Sequence, residues 1–299
     1  MVQPSPFDRM LSEAAKLAQT DPNAAFAQLE ALHGKSQTAD EVLKLGAFAV
    51  HLGCAVLDRA EAAEAFQRRL LQHPTAEGHE FTRRSLLRGL VVAMRLQGKA
   101  DAATSAMAQG VTTAGERARL AVLTAQTFAA RGRFVDATTY LAEAEPVLAS
   151  LESDEDIVPQ AAQIAANLIR AAEGQLRQAG NLIHAAARTL VATTSRQDWR
   201  LRHQALYHRG RAHVLTGEPS LALGLVQELM TIEDANQAGP VERFFTASLA
   251  CRAQVHRGMA KVAGAALEAC RDFAKRAEED KNVIQALAEL EAFAAGRTS

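Results

Sequence analysis

Five glycines divide most of this chain into segments of similar length. Gly98, Gly132, Gly174, Gly217 and Gly258 are spaced by 34, 42, 43 and 41 residues. Each follows one stripe of apolar residues at helical spacing and precedes another, as expected where one helix ends and the next begins. Fixed periods of this length are typical of helical solenoids, in which each helix pair is buried by its neighbours. The glycines therefore predict an array of antiparallel helix pairs.

The positions that follow each glycine repeat as well. In all five segments an alanine stands five residues on and an apolar residue stands nine residues on. The alanines are Ala103, Ala137, Ala179, Ala222 and Ala263, and the apolar residues are Met107, Leu141, Ile183, Val226 and Leu267. A small residue lets two helices approach closely, and the apolar residue fills the space between neighbouring pairs. The alternative is a generic alanine-rich helical bundle, which requires no constant period.

Composition favours an all-α chain. The 299 residues are 48% hydrophobic but only 5% aromatic, so the apolar content is mostly aliphatic and rich in alanine, the strongest helix former. Thr38 with Glu41, and Thr113 with Glu116, have the spacing of a capping box at a helix start. The apolar periodicity predicts about fifteen helices, one of them near 39–53.

Charge and cysteine content bear on partners and compartment. The formal net charge of −1 argues against direct nucleic-acid binding through whole-surface attraction. No apolar stretch reaches the roughly 18 residues of a transmembrane helix, and the first residues lack the basic and apolar regions of a signal peptide. Cys54, Cys251 and Cys270 are odd in number and far apart, and we expect the last two to be buried within one helix pair. These features predict a cytoplasmic location and no membrane insertion.

The segment from Ala205 to Ala222 resembles a tetratricopeptide repeat. It has the family's small residue in the first helix at Gly210 and its turn glycine at Gly217, and Ala222 is the small residue of the second helix. A second match runs through Ala125, Phe128, Gly132, Phe134, Ala137, Leu141 and Ala144. The departures are Leu206, Arg209 and His213, which stand where the family favours Trp, Leu and Tyr.

This resemblance implies a right-handed α–α superhelix of about seven antiparallel helix pairs followed by a C-terminal capping helix. It implies a single solenoid domain over 1–299, with weak repeats in 1–75, clear repeats in 76–280, and a cap and tail in 281–299. Periods above the family's usual 34 residues imply longer helices, as in the arrays of bacterial signalling proteins. If the outer face of the last helix is apolar, it would support formation of a homo-oligomer.

Catalytic motifs are missing from the sequence. It contains no GxGxxG, phosphate loop or HExxH pattern. His203, His208 and His213 are spaced by five residues, which turns a helix by about 500°, so they do not converge on a metal and are expected to be solvated or groove-lining. The acidic run 152–156 is typical of a helix N-terminus. We therefore expect no enzyme activity, no cofactor and no metal.

The resemblance implies a concave groove lined by the first helix of each pair. The residues of this sequence that match the family's groove-facing positions are Arg88, Arg95, Arg119, Gln126, Gln204, Tyr207, Arg211, Ser248, Arg252 and His256. Half of these residues are arginines, whose planar fork suits carboxylates. The groove is therefore expected to bind an acidic segment or a C-terminal carboxylate, although the arginines would also be explained by an arginine-rich composition.

The function expected from these features is a non-enzymatic interaction module, acting as a scaffold, adaptor or chaperone that binds a peptide or partner protein. The alternative is a signalling or transcription-regulating sensor whose solenoid binds a peptide or small ligand. Tyr207 and Arg211 stand where chaperone-binding family members carry the Lys and Asn of a carboxylate clamp, which argues against binding of heat-shock chaperone tails.

Overall fold

A computed structural model describes residues 5–111, 113–151, 157–194, 198–277 and 280–298. The chain is 85% helical, and the described residues form sixteen α-helices and no strand. This confirms the all-α prediction. Within the described ranges, no helix combines the length and the apolar character needed to cross a lipid bilayer. The acidic run 152–156, predicted to begin a helix, lies outside the described residues.

Contacts divide the chain into two compact units, Met1–Ala144 and Glu145–Ser299. The helices that begin in the first unit are α1 Pro6–Leu17, α2 Pro22–His33, α3 Ala39–Val50, α4 Ala60–Leu71, α5 Pro74–Glu77, α6 Glu80–Leu96, α7 Ala100–Ala108, α8 Ala114–Ala130 and α9 Phe134–Ser150. Those of the second unit are α10 Ile157–Ala172, α11 Leu176–Thr194, α12 Trp199–Leu215, α13 Pro219–Ala235, α14 Pro240–His256, α15 Ala260–Arg276 and α16 Lys281–Thr298.

Both predicted capping boxes are present. The backbone N–H of Glu41 donates to Thr38 Oγ1 at 3.2 Å, while the Glu41 carboxylate accepts from the backbone N–H of Thr38. Thr113 and Glu116 repeat this reciprocal arrangement at the start of α8. Each box satisfies backbone donors that have no partner inside the helix, which fixes where α3 and α8 begin.

Four of the five glycines end helices as the sequence predicts. Gly98, Gly132, Gly217 and Gly258 have φ of +74°, +70°, +83° and +71°, the left-handed region that favours glycine. Gly174 differs, because it lies inside a short 3-10 helix, Glu173–Gln175, that joins α10 directly to α11. The prediction of a helix break is therefore correct there, but the turn is of another type.

In the first unit, α1 packs against α2, α3 against α4, and α6 against α7. Helices α3, α6 and α8 also lie side by side. The α-helical hydrogen bonding of α3 ends at Val50 and is followed by a π-helical segment, His51–Val56, so the helix predicted near 39–53 is α-helical only as far as Val50. Ala103 and Ala137 are buried, as their repeat position requires.

In the second unit, α10 pairs with α11, α12 with α13, and α14 with α15. The first helices of these pairs, together with α16, form a continuous series of neighbours in the order α10, α12, α14, α16. Gly210 sits where α12 meets α14, because a Cβ there would lie 2.4 Å from Leu249 Cδ2. Ala179, Ala222 and Ala263 are buried between paired helices. The packing in neighbouring pairs is solenoid-like.

Candidate functional site

A groove of about 570 Å³ lies along the first helices of the second unit. We call it the arginine groove. It is bordered by α10, α12, α14 and the start of α16, and its charged side chains are Arg170, Arg200, Arg211, Arg252, Glu242, Asp280 and Glu289. The volume lies within the range of about 300–1,000 Å³ that is typical of ligand sites.

Two arginines in the groove converge on one carboxylate. Arg211 of α12 forms an ion pair with Glu173, and Arg252 Nη1 of α14 lies 3.6 Å from Glu173 Oε1. The two arginine side chains are only 9% and 10% exposed, whereas the Glu173 side chain is 33% exposed. A carboxylate therefore bridges the two helices from the 3-10 turn after α10. Its position shows that this pair of guanidinium groups can be reached by a single acidic group.

Arg252 has a further donor that is not used by the described residues. Its Nε is buried and makes no hydrogen bond with the described residues. The guanidinium carbon lies 5.0 Å from the centre of the Phe293 ring, close enough for a cation–π contact. An unpaired buried donor on a charged group is costly. Arg252 therefore has capacity for an additional acceptor.

His208 lies beside these arginines and is neutral. Burial, followed by the charges of Arg211 and Arg170, lowers its pKa to about 3. Its side chain is almost completely buried, and Nδ1 has no hydrogen-bond partner among the described residues. His208 thus adds an uncharged polar nitrogen to a part of the groove that is otherwise positive.

Two aromatic rings form an apolar wall in the same groove. The Tyr207 and Phe245 ring centres are 5.2 Å apart in a tilted arrangement, and Tyr207 also meets the His208 ring edge-on. Tyr207 is buried and Phe245 is half-buried. Their position next to the arginines creates an amphipathic surface.

A buried polar network holds the helices that carry the groove. His203 Nε2 of α12 lies 2.8 Å from Glu233 Oε1 of α13 and 3.1 Å from Thr246 Oγ1 of α14. The Thr246 hydroxyl donates to the same Glu233 carboxylate. All three side chains are buried, so the network fixes α12 against both neighbours.

The ten predicted groove residues fall into three groups. Gln204, Tyr207, Arg211, Ser248 and Arg252 border the arginine groove. Arg88, Arg119 and Gln126 border a separate cavity of about 370 Å³ in the first unit, between α3, α6 and α8. Arg95 and His256 border neither cavity.

Arg95 and His256 make contacts within their own units. The Arg95 guanidinium lies 4.7 Å from the centre of the Tyr140 ring and 3.4 Å from the Glu143 carboxylate. The His256 ring stacks on Phe293 with centres 5.8 Å apart. Both residues were predicted from groove positions that the resemblance implies. The packing partners of a helix position are not contained in its own sequence, so these contacts could not be predicted.

The three histidines and two cysteines considered in the sequence analysis lie in different surroundings. His213 Nδ1 lies 3.0 Å from Glu218 Oε2, while His203 and His208 border the groove. Across the described part of the chain, no group of three or more His, Cys, Asp or Glu side chains is placed to hold a metal ion. Cys251 and Cys270 are buried, which confirms their predicted place, and burial raises the pKa of Cys270 to about 12.

Sequence reasoning missed several residues of the arginine groove. Arg170 and Phe245 line it and Glu173 pairs with two of its arginines, but none of the three is among the predicted groove residues. His208 lines the groove, which is one of the two places expected for it. Arg170 lies in the last turn of α10, and Glu173 begins the 3-10 helix that follows it. The adjacency of Glu173 to a turn glycine is a signal that could have identified it. Comparison with known families finds no family model that matches the chain, and comparison with curated proteins finds no significant match either.

Proposed function

We propose that this chain is a non-enzymatic interaction module that binds an acidic segment of a partner protein in the arginine groove. The observation that carries the proposal is the convergence of Arg211 and Arg252 on the single carboxylate of Glu173. Two guanidinium groups from neighbouring helices are thereby held where both can donate hydrogen bonds to the oxygens of one carboxylate. An aspartate, a glutamate or a C-terminal carboxylate of a partner is the chemistry that fits.

Other residues of the groove favour a peptide over a free anion. Tyr207 and Phe245 offer an apolar contact for a side chain next to the acidic group. Gln204, Asn282 and Gln285 are exposed amides along the groove, which can donate to and accept from an extended backbone. This combination of a charged anchor, an aromatic contact and polar side chains is the composition of a recognition surface.

We also propose that the helix pairs are tetratricopeptide-like repeats acting as a scaffold, adaptor or chaperone. The proposal is supported by the neighbouring-pair packing, the left-handed turn glycines and the buried alanines. A cytoplasmic location goes with it, because Cys54, Cys251 and Cys270 are unpaired and buried, as in proteins of reducing compartments.

The proposal is tested with two pooled libraries of fluorescein-labelled peptides. One library carries two glutamates among random residues, and the other has glutamines at those positions. We expect the full chain to retain peptides from the glutamate library selectively. Amidating the C-terminus of retained peptides then separates recognition of side-chain carboxylates from recognition of a terminal carboxylate.

Variants locate the binding surface. Arg211→Gln and Arg252→Gln are each expected to weaken binding of a retained peptide about tenfold or more, since each removes a charge-assisted contact. Arg188→Gln is the matched control, because Arg188 lies on α11 and pairs with Glu145 outside the groove. Thermal unfolding monitors the fold of each variant. Equal retention of both libraries, or equal weakening by all three variants, would contradict the proposal.

A further inference from the structure

The cavity of about 370 Å³ in the first unit differs in character from the arginine groove. We call it the apolar cavity. Its walls are mainly aliphatic, with Leu43 and Val50 from α3, Val92 from α6 and Leu123 from α8. Neighbouring helices are spaced by about 8–10 Å, so a cavity that crosses three of them can hold an extended medium-length chain. The π-helical segment after α3 borders it through His51 and Ala55, and such segments are frequent at functional sites.

One side chain in the apolar cavity has an unused hydrogen-bond acceptor. Gln67 of α4 is 1% exposed, and its Nε2 donates to the backbone carbonyl of Gly46 at 2.6 Å. That bond fixes the orientation of the amide, and Oε1 accepts no hydrogen bond from the described residues. A buried acceptor without a donor is unfavourable, so Gln67 favours a ligand that brings an O–H or N–H group.

Two arginines give the apolar cavity a positive end. Arg88 of α6 is 11% exposed in its side chain and lies 3.9 Å from Glu116, a carboxylate that also lies 3.6 Å from Arg84. Arg119 of α8 has no carboxylate within ion-pair distance among the described residues. Burial, and then the charge of Arg119, lowers the pKa of Arg88, while the charge of Glu116 opposes this shift.

The three features together describe one kind of ligand. An aliphatic wall favours an apolar chain, the arginine pair favours an anion because Arg88 has a carboxylate only at 3.9 Å and Arg119 has none among the described residues, and Gln67 Oε1 needs a donor. We propose that the apolar cavity binds a medium-chain hydroxycarboxylate. Its chain lies between α3, α6 and α8, its carboxylate contacts Arg88 and Arg119, and its hydroxyl donates to Gln67. This site is independent of the peptide groove in the second unit.

The test compares three probes that differ by one group at a time. β-Hydroxydecanoate, decanoate and decanol are titrated into the full chain by calorimetry, below the concentrations at which they form micelles. We expect saturable one-to-one binding of β-hydroxydecanoate. Decanoate should bind about fivefold to tenfold more weakly because it lacks the donor, and decanol should bind more weakly again because it lacks the charge.

Variants assign each contact. Arg119→Gln is expected to weaken both carboxylates about tenfold while leaving decanol unchanged, because it removes only the charge contact. Arg83→Gln is the matched control, since Arg83 lies on α6 with an exposed side chain outside the cavity. Gln67→Leu should abolish the preference for β-hydroxydecanoate over decanoate. Because that variant also loses the Gly46 hydrogen bond, its fold is checked by circular dichroism and Arg119→Gln serves as the independent readout.

Several outcomes would overturn the proposal. Decanol binding as well as the carboxylates would exclude recognition by the arginines. An equal effect of Arg83→Gln and Arg119→Gln would show that only overall charge matters. Absence of saturable binding by all three probes would also refute it.

Discussion

Replacing Glu173 with glutamine should change stability and peptide binding in opposite directions. Glu173 is the carboxylate that neutralises Arg211 and Arg252 when the groove is empty. Glutamine keeps the shape of the side chain but removes its charge. The folded chain then lacks the carboxylate that pairs with these two guanidinium groups, and Glu173 no longer competes for them with an incoming carboxylate.

The loss of stability follows from how far the three groups are exposed. Removing one partner of a fully buried pair costs about 3–5 kcal/mol, whereas an exposed pair contributes about 0–1 kcal/mol. The arginines are about nine-tenths buried, but Glu173 is one-third exposed, so water screens part of the interaction. We expect Glu173→Gln to lower the free energy of unfolding by about 1–3 kcal/mol.

The gain in affinity has the same origin. In the native chain, an acidic peptide must share or displace a carboxylate that already contacts both arginines. In Glu173→Gln the peptide supplies the only full negative charge at that position. We expect an acidic peptide retained by the native chain to bind about tenfold more tightly, which corresponds to about 1.4 kcal/mol.

Fluorescence anisotropy with that labelled peptide measures the affinity, and urea unfolding measures the stability. Glu145→Gln is the matched control, because Glu145 pairs with Arg188 at 3.0 Å and is 32% exposed, but lies outside the arginine groove. The control should lower stability slightly and leave peptide affinity unchanged. A parallel fall of affinity and stability in Glu173→Gln would show that Glu173 supports binding, and the competition model would be wrong.

Two further predictions concern the fold. Gly210→Ala should destabilise the chain by about 1–3 kcal/mol in urea unfolding, because its Cβ would meet Leu249, whereas Gly224→Ala on α13 has open space and should stabilise by about 0.5–1 kcal/mol. The pKa of His208 is about 3 in the folded state against 6.5 in the unfolded state. The contribution of His208 to stability is therefore fully present above pH 6.5 and is lost as the pH falls towards 3. Between pH 6.5 and about 5, His208→Gln should reduce the slope of unfolding free energy against pH by up to about 1.4 kcal/mol per unit; an unchanged slope would mean that His208 is not buried as a neutral group.

The glycine period predicted the fold because it depends on a local requirement. A left-handed turn after a helix favours glycine whatever the rest of the chain does, and four such turns are present. The change to π-helical hydrogen bonding after Val50 could not be predicted, for the opposite reason. The side chains of Val50 and His51 do not distinguish α-helical from π-helical hydrogen bonding, and the change of pattern depends on contacts with neighbouring helices.

The candidate groove could be predicted only in part. The resemblance named Tyr207 and Arg211 as groove residues, and both border the arginine groove from α12. It could not show that Arg211 is nearly buried, because burial depends on Glu173 and on side chains from helices distant in sequence. Nor could it show that Arg88 and Arg119 belong to a different cavity with aliphatic walls.

An internal carboxylate also determines what the arginine groove can select. A free anion exchanging with Glu173 would replace one charged contact by a similar one and gain little free energy. A net gain requires contacts that Glu173 does not make, and the described residues offer three: the buried Nε of Arg252, the Nδ1 of His208, and the rings of Tyr207 and Phe245. Only a ligand that joins a carboxylate to further polar and apolar groups can use them together. The same reasoning requires that acetate compete poorly with an acidic peptide, even at concentrations far above that of the peptide.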